Sequence, residues 1–80
     1  MEPLHLTRLP RKQKRLLLTL ERVVATIPAD QRLTEPEIND YLRPIYSDYP
    51  LLRRELIDYH FLDRTPDGTA YWRVTPERTA

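Results

Sequence analysis

Cysteine, glycine and long apolar runs are the scarce features of this sequence. None of its 80 residues is a cysteine. That excludes disulfides and thiolate metal sites, and it fits a reducing compartment. The single glycine, Gly68, excludes a glycine-rich phosphate loop. The run Leu16-Leu17-Leu18 is interrupted at once by Thr19. No stretch approaches the ~20 apolar residues of a membrane span. No apolar segment follows the N-terminus as it does in a signal peptide, so the expectation is a cytoplasmic chain with no membrane partner.

Groups able to do chemistry are equally sparse. Ser47 is the only serine, and its place before a helical pattern suits capping. His5 and His60 have no companions at metal-ligand spacing. Glu35, Glu37 and Asp40 cluster where a helix dipole attracts acids. The expectation is a protein that is no enzyme, with no catalytic residue, no metal and no cofactor. Its length allows one domain, residues 1–80. A chain of this size buries only about 60% of its unfolded surface, so the core is thin.

The charge is present but unevenly placed. The total is +1, yet residues 1–15 carry Arg8, Arg11, Lys12, Lys14 and Arg15 against Glu2 alone. Those residues sum to +4, which leaves −3 for the remainder. A basic front has two readings, a solvated first helical turn or a contact with a polyanion. Cations oppose the dipole at a helix start and cost a few tenths of a kcal/mol each.

Periodicity supplies the elements. Residues 1–9 read as an irregular arm. Pro10 suits a helix start. Leu16, Leu17, Leu20, Val23, Val24 and Ile27 then mark one helical face, which ends near Thr26 because Pro28 follows. Arg32-Leu33-Thr34 has room for a short strand. Thr34-Glu35-Pro36-Glu37 matches a capping box. It starts a short second helix with a stripe of Ile38, Tyr41, Leu42 and Ile45. Ser47 or Asp48 caps a third helix over residues 48–59, whose buried face is Leu52, Leu56 and Tyr59. Two strand-like runs, 61–65 and 70–74, flank Pro66-Asp67-Gly68-Thr69, a type I turn with a glycine bulge. Residues 75–80 read as a tail. The fold class is therefore α+β: a small winged helix-turn-helix, three helices followed by a C-terminal hairpin.

The segments Thr34-Glu35, Glu37-Ile38-Asn39 and Leu52-Arg53-Arg54-Glu55-Leu56-Ile57-Asp58-Tyr59 have a further significance. With Leu42, Tyr46, Asp48, Leu62, Arg64, Asp67-Gly68 and Tyr71-Trp72, they resemble the bacterial domain of unknown function twenty eighty-seven. The resemblance covers roughly residues 8–73. It implies a winged-helix-like domain, either standing alone or attached to transcriptional regulators. It implies no catalytic residue and no ligand.

Two binding readings follow. For double-stranded DNA the candidates are Arg53 and Arg54 on the third helix, Arg64 and Arg73 by the wing, and Arg11, Lys12, Lys14 and Arg15 in front. Against it, residues 48–59 carry Arg53 and Arg54 but also Asp48, Glu55 and Asp58, a net of −1. Both arginines also have structural partners within reach. For a homodimer or another regulator protein, the candidates are Tyr49, Ile57 and Trp72, drawn from a chain whose seven aromatics all lie between Tyr41 and Trp72. In that reading Ile57 is exposed, flanked by Arg53, Arg54 and Trp72.

Overall fold

The first helix begins three residues later than its proline suggests. A computed structural model describes residues 4–74, so the tail 75–80 and the first three residues lie outside the described part. In it α1 is Gln13–Val24, preceded by Lys12 in an extended conformation. Pro10 is therefore outside the helix, and Lys12 provides no side-chain cap. The other end is closer to expectation. Ala25 is the C-cap, and the Thr26 hydroxyl donates to the Val23 carbonyl at 2.7 Å.

The remaining elements are β1 (Arg32–Leu33), α2 (Glu35–Leu42), α3 (Tyr49–Asp58), β2 (Leu62–Arg64) and β3 (Tyr71–Arg73). Capping sets both inner helix starts. The Glu37 N–H donates to Thr34 Oγ1 at 3.3 Å, and the Thr34 N–H donates to Glu37 Oε1 at 2.8 Å. Asp48, not Ser47, caps α3 by accepting the Leu51 N–H. The short strand after α1 does form. Its Arg32 and Leu33 oppose Trp72 and Tyr71, so the antiparallel sheet has the order β1-β3-β2. This small α+β arrangement is compatible with a winged-helix-like fold.

One buried cluster gathers the elements. Leu16, Leu20, Val23, Val24 and Ile27 come from α1 and its end, Ile38 and Leu42 from α2, and Leu52 and Leu56 from α3. Leu33, Leu62 and Tyr71 close it from the sheet. Tyr41 departs from the expected stripe and is 38% exposed. It sits one residue before Leu42, about 100° around α2, and Leu42 already takes the inward position. Residues 4–9 form no regular element, yet they are docked. Leu4, Leu6 and Leu9 pack on the core, and the Leu6 N–H donates to the Ile45 carbonyl at 2.6 Å.

α3 ends in a Schellman motif. The His60 N–H donates to the Ile57 carbonyl at 3.0 Å and the Phe61 N–H to the Leu56 carbonyl at 2.8 Å. Phe61 and Leu56 are both buried and supply its apolar contact. The motif requires a left-handed residue, and His60 has φ +67°. Glycine is the usual occupant, because a Cβ is strained there. His60→Gly should therefore raise stability by about 0.5–1 kcal/mol. Thermal unfolding should show a rise of several degrees, and a fall would exclude this account of the helix end.

The hairpin turn is built as its residues indicate. The Gly68 N–H donates to the Thr65 carbonyl at 2.9 Å, with Gly68 at φ +74°. Asp67 Oδ1 accepts the Thr65 hydroxyl at 2.7 Å, the Thr69 hydroxyl at 2.8 Å and the Thr69 N–H at 3.1 Å. The hydroxyl of Thr65, then that of Thr69, then the Thr69 N–H hold the Asp67 carboxyl below its ordinary pKa. A lowered native pKa contributes stability that is complete above the unfolded value, about 3.9, and is lost as pH falls through the native value. Asp67→Asn should thus lower the melting temperature at about pH 7. The deficit should shrink as pH drops below that window. A deficit that is constant with pH would remove the carboxylate from the argument.

Candidate nucleic-acid interface

Arg53 and Arg54 are neighbours in sequence, but helical rotation gives them different surroundings. The Arg53 side chain is only 20% exposed. Its guanidinium donates to Asn39 Oδ1, lies 3.9 Å from Glu35 Oε2 and sits 5.9 Å from the Tyr71 ring centre. The Tyr71 hydroxyl donates to the same Glu35 oxygen at 3.3 Å. Arg53 thus joins α3 to α2 and to β3. The Arg54 side chain is 76% exposed, and its one ion pair among the described residues is with Asp58 a turn later, at 3.7 Å.

The hairpin arginines also divide. Arg64 is exposed at the end of β2. It lies so close over the turn that a Cβ on Gly68 would stand 3.6 Å from its Nη1. Arg73 is half-buried and donates to the Ile27 carbonyl at 3.2 Å, tying β3 to the end of α1. Arg53, Arg54 and Arg64 come together with Ile57, Glu35 and Asp58 around one open cleft of about 460 Å³ between α3 and the hairpin. Arg73 does not share it. It lines a second cleft with Trp72 and Arg32.

The basic front forms a third cleft, and none of its residues lines the other two. Arg8, Arg11, Lys12 and Arg15 surround it with Leu9 and Pro10, without an acid. Lys14 is exposed beside them on the first turn of α1. Among the described residues none of these cations makes an ion pair. Arg8, a member of the basic front though not of the DNA-contact candidates, lines this cleft with Arg11, Lys12 and Arg15. Its place in the basic run and its three-residue spacing from Arg11 were the available signal.

The proposed protein-contact residues are not gathered into a patch. Ile57 is half-buried, not exposed, because it packs on the core and faces the α3–hairpin cleft. Tyr49 is half-buried with the Arg43 guanidinium 5.2 Å from its ring centre. Trp72 is half-buried under Arg32, whose guanidinium lies 4.6 Å from the ring. Arg32 entered no site set from sequence, since only the β1–β3 register places it there. Among the described residues, the exposed large apolar side chains are instead Leu18, Tyr41 and Leu51.

The two neighbouring arginines should separate by stability. Arg53→Ala removes a half-buried charged hydrogen bond, a loss of about 1.5–3 kcal/mol. Arg54→Ala removes an exposed ion pair, with an effect below about 0.5 kcal/mol. Urea midpoints of the two variants decide this, and equal midpoints would refute the division.

The family model described as "Uncharacterized protein conserved in bacteria" (DUF2087) matches residues 5–73. No curated protein and no solved structure matches the chain. The matched span runs from the docked arm to the last residue of β3, so this chain belongs to that bacterial family.

Proposed function

We propose that this chain is a winged-helix module that binds double-stranded DNA in transcriptional regulation and acts by binding, not by catalysis. The observation that carries this reading is the cleft between α3 and the hairpin, with Arg54 and Arg64 exposed on it. In helix-turn-helix docking the second helix of the pair enters the major groove. Arginine matches the paired acceptors of guanine there. Arg53 serves this surface indirectly, by fixing the angle of α3 against α2 and β3. A contact with a second copy or another regulator protein draws less support, because Tyr49, Ile57 and Trp72 have three separate surroundings.

Titration of labelled random-sequence duplexes at low and moderate salt tests the reading. Binding is expected at about 50 mM salt, where a few phosphate contacts suffice. A bidentate arginine–guanine contact is worth about 1–3 kcal/mol of discrimination. Selected duplexes should therefore lose about tenfold preference with Arg54→Ala or Arg64→Ala, at unchanged melting temperature. Absence of binding at low salt would end the DNA reading.

A further inference from the structure

The basic cleft at the start of α1 is stitched to the turn between α2 and α3. Leu6 donates to Ile45, and His5 Nδ1 lies 3.2 Å from the Pro44 carbonyl oxygen. Both acceptors are in that turn. Arg8 follows Leu6 by two residues, which limits its Cα to about 7 Å from that of Leu6. The same turn leads into α3, whose first residue is Tyr49. The arm that carries Arg8 into the basic cleft is thus tied to the turn that precedes α3.

Charge decides what fits there. Arg8, Arg11, Lys12 and Arg15 line the cleft, and no acid does. The third helix is different, since Arg53 is engaged within the fold and Arg54 shares its charge with Asp58. A duplex met by α3 alone would gain little from its phosphates. Backbone affinity then has to come from cations elsewhere on the domain.

We propose that Arg8, Arg11, Lys12 and Arg15 form a sugar-phosphate clamp for duplex DNA, and that this clamp, not α3, supplies most of the affinity. The inference rests on the DNA reading above. It assigns sequence-independent binding to the arm and α1, and leaves base discrimination to Arg54 and Arg64.

The test compares two double variants of equal charge change. One is Arg11→Gln with Lys12→Gln. The control is Arg22→Gln with Arg32→Gln, at exposed positions that line neither the basic cleft nor the α3–hairpin cleft. Duplex affinity is measured from about 50 to 200 mM salt. Each lost phosphate contact lowers the slope of log K against log salt by about 0.9. The cleft variant should lose about 2 in slope, equally for selected and scrambled duplexes, with its melting temperature unchanged or raised. The control should keep the slope of the unaltered chain. Duplex binding with equal slopes in all three would overturn the clamp while leaving the DNA reading in place. Absence of binding by the unaltered chain would overturn both. Equal affinity for linear polyphosphate would overturn the assignment to duplex DNA.

Discussion

Arg53 occupies the point where α2, α3 and β3 meet. Its planar fork reaches Asn39 and Glu35 on α2 while its face lies toward Tyr71 on β3. A guanidinium suits such a place, because it presents several fixed donors and still packs on an aromatic ring. The cluster is closed on itself. Glu35 takes the Tyr71 hydroxyl as well as the arginine, and no buried polar side-chain atom among the described residues lacks a partner. In a core this thin, orientation between elements cannot rest on apolar packing alone. Hydrogen bonds have the direction that leucine contacts lack.

That commitment has a functional consequence. An arginine that holds α3 in place is withdrawn from any ligand α3 meets. The outward side of the helix retains Pro50, Leu51, Arg54 and Asp58, which is close to neutral. Polyanion affinity depends on the number of phosphates neutralised, not on the presence of a helix-turn-helix. In the proposed DNA reading, α3 therefore contributes sequence selection but grips a backbone weakly. Among the described residues, the cleft lined by cations without an acid lies at the arm and the start of α1.

Features coded over a few residues were legible in the sequence. The capping box of Thr34 and Glu37 and the turn around Gly68 are local hydrogen-bonding solutions, and both formed as read. The α3 limits followed from Asp48 and from the apolar spacing of Leu52 and Leu56. What failed was set at a distance. Pro10 is compatible with a helix start, yet the docked arm stays outside the helix through Lys12. Tyr41 and Ile57 lie near the borders of their apolar stripes, where rotation of the helix decides exposure. The different fates of Arg53 and Arg54 depend on which side of α3 faces Asn39. A charge count over the helix treats them as equal.

The start of α1 is the least favourable place in the molecule for its own charges. α2 and α3 both have side-chain caps, and α2 has acids in its first turn, whereas α1 has neither. Lys12, Lys14 and Arg15 instead face the positive end of the dipole, at a cost of about 0.3–1 kcal/mol per charge when little screened. The cost is removed when an anion arrives. A phosphate there would face several cations whose mutual repulsion it relieves, so the site gains on binding what the free fold gives up. Such an arrangement makes association strongly dependent on salt and weakly dependent on sequence. In the proposed DNA reading, a nearly neutral α3 relies on that complement for its backbone affinity.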